Sequence, residues 1–153
     1  MNLNRRKFIK RLIAAVVSIE AFFLIKNGIS TKTPLTEEEK LISVGNAELF
    51  MNNKTYPFVT NHFYLRRFKD GGFMAFSVKC THLGCVVNIN SNTGGFNCPC
   101  HASQFNEFGD VISSPATRPL DTYPIIVKNN ELWVDITKAT TRTTFDKSQL
   151  TYI

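Results

Sequence analysis

The chain has 153 residues, 43% of them apolar and 20% charged, with a formal net charge of +6. That is room for one domain with accessories, and the balance excludes a disordered chain. Much of the excess charge, Arg5, Arg6, Lys7, Lys10 and Arg11, lies in the first eleven residues with no acid among them, so the remainder is near neutral and a broad nucleic-acid face is excluded. A basic RNA- or DNA-binding arm is disfavoured because an apolar run follows directly.

In chain order, the first element is this basic region, 1–11, followed by an apolar segment, 12–29. Arg5-Arg6-Lys7-Phe8-Ile9-Lys10 resembles a twin-arginine export signal, which implies export of an already folded protein. Residues 12–25 as helix span about 21 Å, and extension to Ile29 reaches about 27 Å, against roughly 30 Å of hydrocarbon. Lys26 can snorkel to the interface, whereas Glu20 is costly unless it faces a partner helix. The only small-x-small cleavage candidate is Gly28-Ile29-Ser30, so the reading favours an uncleaved membrane anchor over a removed signal.

Residues 30–40 read as a polar linker. From Leu41 the texture changes to short runs rich in Val, Ile, Phe and Tyr, at 55–59, 63–68, 73–79, 86–89, 123–128 and 131–136. Turn residues separate them: Asp70-Gly71-Gly72, Asn92-Thr93-Gly94-Gly95 and Asn129-Asn130. The last pair suits a tight hairpin, because Asn tolerates positive φ. The pattern predicts an all-β domain over 41–137, a small antiparallel β sandwich or barrel. A Thr-rich polar tail, 138–153, closes the chain, either disordered or docked on a partner.

All four cysteines and two of the three histidines fall between Cys80 and His101. Such clustering marks a metal site, a disulfide staple, or both. The first group is Cys80-Thr81-His82-Leu83-Gly84-Cys85. The second is Cys98-Pro99-Cys100-His101-Ala102-Ser103-Gln104-Phe105. Each half offers one thiolate and one imidazole, with fifteen residues between His82 and Cys98. Two metals can then have unlike ligands, sulfur on one and nitrogen on the other. Zinc sites favour Cys-x2-Cys pairs, and two plain disulfides would leave both histidines without a task.

These two motifs, at this separation, resemble the Rieske family, and within it the high-potential, disulfide-containing branch of cytochrome bc- and bf-type quinol-oxidising complexes. The resemblance implies a Rieske-type fold with a cluster-binding subdomain and a [2Fe–2S] cofactor. It implies that Cys80 and Cys98 bind the inner iron, and that His82 and His101 bind the outer iron through Nδ. It implies a Cys85–Cys100 disulfide, which would close a loop of about 16 residues, worth roughly 3 kcal/mol in the chain-entropy account, and which export permits. Two neutral imidazoles in place of thiolates raise the potential into the range of about −150 to +300 mV. They also couple electron uptake to proton uptake, as quinol oxidation requires.

The family serine that bonds a bridging sulfide is matched by Ser103; the alternative is a plain turn serine. Phe105 stands where high-potential members carry a tyrosine that donates to a ligand sulfur, and so predicts a lower potential, suited to a menaquinone-type donor or a non-quinone partner enzyme. Ala102 stands where glycine is common. Leu83 is expected to shield the cluster and touch a docked quinone, or else to be an ordinary core leucine. Ser113-Ser114-Pro115-Ala116-Thr117-Arg118-Pro119-Leu120 resembles the family's proline loop, without its usual leading glycine. Pro115 and Pro119 would stiffen this cover over the cluster; the alternative is a generic connection.

The resemblance implies one-electron transfer as the iron–sulfur subunit of a membrane quinol–cytochrome c reductase. The partners would be quinol, a cytochrome b-type and a cytochrome c-type subunit. The expected location is a bacterial cytoplasmic membrane, with the head on the extracytoplasmic side. The alternatives are the small subunit of an exported molybdenum oxidase resembling arsenite oxidase, partnered by a molybdopterin large subunit, and a free-standing exported carrier. No phosphate loop, dinucleotide fingerprint or Ser/His/Asp set is visible in the sequence, so a substrate-transforming site in this chain alone is not expected.

Overall fold

The computed structural model describes residues 4–28 and 41–153, in two separate units, a helix and a β head. The linker expected over 30–40 and the Gly28-Ile29-Ser30 cleavage candidate fall on or beyond the edge of the described residues. Helix α1, Arg5–Gly28, starts seven residues before the apolar segment, because Arg, Lys and Phe prolong a helix without a break. Its described apolar side chains, among them Phe8, Leu12, Val16, Ile19 and Phe23, are exposed. Among the described residues no helix is long and apolar enough to cross a membrane. The anchor expected over 12–29 ends beyond the described residues; within α1 five cations occupy the first turns, and Ser18 and Glu20 lie among the apolar residues.

The head is built of three antiparallel sheets. Strands β1 (Leu41–Asn46), β10 (Ile125–Lys128) and β11 (Glu131–Asp135) form the first, in the order β1-β11-β10. Strands β2 (Lys54–Phe58), β3 (Phe63–Arg67), β4 (Phe73–Ser77) and β9 (Thr122–Tyr123) form the second, in that order. The third is made of short strands: β5 (Asn88–Ile89), β6 (Phe96–Asn97), β7 (Gln104–Phe105) and β8 (Val111–Ser113). The predicted run 123–128 divides at Pro124, which has no N–H for a ladder. At the Asn129-Asn130 turn both residues take positive φ, 51° and 66°, and Lys128 pairs with Glu131, the expected two-residue hairpin.

Strands β3 and β4 lie at the centre and are buried on both faces. Alternation sorts their side chains. Phe63, Leu65, Phe73 and Ala75 face Leu132 and Val134 of the first sheet. Tyr64, Met74 and Phe76 face Val87, Phe96, Cys98 and Phe105 of the small sheet. Phe96 packs its ring against those of Tyr64 and Phe76, which seats the small sheet on the large one. Each phenylalanine so buried contributes roughly 1.5–3 kcal/mol.

The chain beyond Lys138 does not project from the head. Thr140 bridges Thr122, Thr151 bridges Phe73, and Arg142 is buried. The expected polar tail is therefore a folded strap, held by backbone hydrogen bonds, a buried guanidinium, and the packing of Phe145 and Leu150 on the core.

Candidate metal centre

Two loops at one end of the small sheet carry the cysteines and histidines. The first leaves β4 and is closed at its neck by a bridge between Lys79 and Val86. The second joins β6 to β7 and is closed by the Asn97–Gln104 pair. The two are built alike. In the first, the Cys80 N–H donates to the Cys85 carbonyl at 2.7 Å and the Gly84 N–H to the Cys80 carbonyl at 2.8 Å. In the second, the Cys98 N–H donates to the Ser103 carbonyl at 2.8 Å and the Ala102 N–H to the Cys98 carbonyl at 3.1 Å. Each turn needs one left-handed residue four places after its cysteine: Gly84, φ 80°, and Ala102, φ 60°. Glycine enters that region freely, whereas alanine does so with strain.

Cys85 and Cys100 are joined in a disulfide that ties the loops together. Cys80 and Cys98 are free and buried. Burial pushes the Cys80 thiol above its ordinary value, and the adjacent Cys98 thiol adds to this, while the His82 N–H and the Ser103 hydroxyl pull the other way. The same hydrogen bonds stabilise a thiolate on Cys80 once a positive centre is at hand. The His82 and His101 rings meet edge to face, 5.0 Å between centroids. The Nδ1 of His82 is buried and has no hydrogen-bond partner. A buried ring nitrogen left without a partner is costly, unless a metal takes its lone pair. The densest grouping of ligand-type atoms is Cys85, Cys98 and Cys100, within 4.8 Å of one another. Two of those three are spent in the disulfide, so the donors left are two thiols and two imidazoles.

Ser103 is fully buried, and its Oγ accepts the Ala116 N–H at 3.0 Å. It is therefore no plain turn serine but a link between cluster loop and proline loop. Thr81, which sequence reasoning passed over, donates its hydroxyl to the Arg118 carbonyl at 2.6 Å and ties the first loop to the same cover. Its position between Cys80 and His82 was the available signal. Arg118 pairs with Asp121 at the foot of that loop. Pro115 follows a cis peptide bond and is half-buried. Phe105 is buried in the core that holds Cys80 and Cys98. Leu83 is 70% exposed, which excludes the core-leucine reading and leaves its side chain at the loop tip.

Known proteins resemble this chain. Residues 39–124 match the family described as Rieske [2Fe-2S] domain. The chain is 24% identical over 147 residues to the cytochrome b6-f complex iron-sulfur subunit of Chlorobaculum tepidum, covering 89% of this chain and 77% of that one. It is 49% identical over 55 residues to the same-named subunit of Prochlorococcus marinus, covering 36% of this chain and 31% of that one. Among solved structures, a chain of a hyperthermophilic respiratory Complex III shares the fold, with a TM-score of 0.50, 21% identity, and coverage of 81% of this chain and 98% of that one.

Proposed function

The chain belongs to the Rieske [2Fe–2S] family, and from that premise we propose that it takes single electrons from a quinol and passes them to a c-type cytochrome within a cytochrome bc-type complex. A Rieske domain binds a [2Fe–2S] cluster, and the cluster, when bound, supplies the one-electron chemistry. In this reading Cys80 and Cys98 hold one iron through thiolates, and His82 and His101 hold the other through imidazole nitrogens. The observation that carries the reading is the unpartnered Nδ1 of His82, beside the His101 ring and the two free buried thiols. The remaining nitrogen of each histidine serves proton exchange with a quinol. His101 is exposed and His82 half-buried, so such a nitrogen is within reach of a docked quinol. Leu83, exposed at the loop tip, offers that quinol an apolar contact.

The shared name of the relatives, iron-sulfur subunit of a cytochrome b6-f complex, supports this partner set over a molybdopterin subunit. Helix α1 belongs to the same reading. Its basic start and exposed apolar side chains suit the expected single N-terminal membrane anchor, with the head on the extracytoplasmic side.

Redox-titrated EPR of membranes carrying the protein tests the proposal. A quinol-site inhibitor should shift the spectrum of the reduced cluster. A spectrum indifferent to every such inhibitor, with reduction by a molybdenum enzyme's substrate instead, would replace the quinol reading with the small-subunit one.

A further inference from the structure

The C-terminal strap lies beyond the family-matched residues 39–124, yet it reaches the cover of the metal centre. Its one buried side chain is Arg142, 5% exposed. Nε donates to the Leu120 carbonyl at 3.1 Å, Nη2 to the Phe108 carbonyl at 2.8 Å and Nη1 to Oε1 of Gln149 at 2.8 Å. Asp110 lies 4.0 Å from Nη1 and accepts the Phe145 N–H, so it fixes the strap as well as facing the charge. The turn between β7 and β8 is shaped for this guanidinium. Gly109, φ 76°, would place a Cβ only 2.8 Å from Nη2 and 2.9 Å from the Phe76 ring, so the guanidinium or the ring would have to shift for any side chain there.

Leu120 ends the proline loop, and its N–H donates to the Gly109 carbonyl at 2.9 Å. The loop's other ties are Ala116 to Ser103, on the second cluster loop, and Arg118 to Thr81, on the first. One buried side chain from the end of the chain thus grips the foot of a cover whose body is fastened to both cluster loops.

We propose that Arg142 is a positioning residue of the metal centre: clamped on Leu120 and Phe108, it holds the proline loop shut against the two cluster loops. A guanidinium suits the task because its rigid fork satisfies two carbonyls from different segments at once, which an ammonium cannot do. The inference rests on the ligand reading above for what the loop covers, but the clamp itself is read independently of colour.

Native-state hydrogen exchange on the full, cluster-loaded chain tests it. In the unaltered protein the strap amides of Thr140 and Thr151 and the loop amides of Ala116 and Leu120 should open together, before β4 opens. In Arg142→Ala the Ala116 amide should exchange about tenfold faster or more relative to β4, as expected for a lost charge-assisted hydrogen bond. Bleaching of the visible band by a chelator should accelerate in step. Arg142→Lys should fall between, because it fills one carbonyl. Tyr152→Phe, which frees only the strap's end from Asp70, should leave both readouts unchanged. Ala116 staying protected while Thr140 and Thr151 exchange in the unaltered chain, which needs no variant to fold, overturns the inference. So does a loaded Arg142→Ala protein in which every amide speeds up equally. Failure of the ligand reading shows instead as missing colour, with the exchange coupling intact.

Discussion

A single oxygen atom separates Phe105 from tyrosine, and its position in the core with Cys80 and Cys98 makes that atom consequential. Phe105→Tyr should raise the midpoint potential if its hydroxyl donates to a ligand sulfur. A charge-assisted hydrogen bond of about 1.4 kcal/mol corresponds to about 60 mV for one electron. Protein-film voltammetry measures it, and an unchanged potential means the hydroxyl does not reach sulfur. Ser103→Ala should release Ala116, whose N–H its hydroxyl accepts, and should move the potential down if that hydroxyl also donates to a cluster sulfur. His82→Ala should yield protein that does not hold the cluster, because it removes one of the two imidazoles of the proposed ligand set. The candidate ligands Cys80, His82, Cys98 and His101 were legible in the sequence for one reason. Cysteine and histidine are scarce, and their ligand chemistry restricts spacing. Thr81 was not, because a threonine in a loop is ordinary until its acceptor, Arg118, is known.

At the scale of elements, the paired loops carry two of the structure's clearest liabilities. Ala102 sits in the left-handed region that its counterpart Gly84 occupies without strain. Ala102→Gly should stabilise the oxidised, loaded protein by about 0.5–1 kcal/mol, the relief of strain exceeding the entropy glycine restores to the unfolded chain. Urea unfolding checks this, and a loss of stability would mean that the alanine methyl packs usefully. Cys85→Ser with Cys100→Ser should cost about 3 kcal/mol, from the loop the disulfide closes. It should also let the two cluster loops part, seen as faster chelation. The central strands were readable from their Phe, Tyr and Leu content, and the Asn129-Asn130 hairpin from its tolerance of positive φ. The two-residue strands β5, β6 and β7 were harder, because a strand that short has no period to detect. The strap was missed for a different reason. Its threonines and one arginine show no apolar rhythm, Phe145 and Leu150 are too isolated to set one, and the groups they dock on lie far along the chain.

Across the whole head, stability couples to acid through groups far from the metal centre. Asp135, at the end of β11, is buried; hydrogen bonds from the Thr137 hydroxyl and backbone and the Lys138 ammonium hold its carboxyl below the usual carboxylate range. A carboxyl depressed on folding stabilises the native state above its unfolded value, about 3.9, and that contribution is lost as pH falls through the lower folded value. Asp135→Asn should therefore lower stability at neutral pH and flatten the acid limb below pH about 4. Unfolding midpoints compared at neutral and acid pH report both effects, and parallel acid limbs in the two proteins would assign the acid sensitivity elsewhere. The α1 unit stands apart from this account. Its basic start and the apolar run behind it were legible as a helix, Arg5–Gly28, while the expected anchor over 12–29 runs past the described residues. Pulsed EPR of the reduced protein, with the histidines labelled by nitrogen-15, tests the central claim most directly. Two unequal irons, one of them bound by His82 and His101, should give two imidazole nitrogen couplings, one of which disappears in His82→Cys. A reduced cluster with no nitrogen coupling at all, its irons held by thiolates alone, would contradict the account.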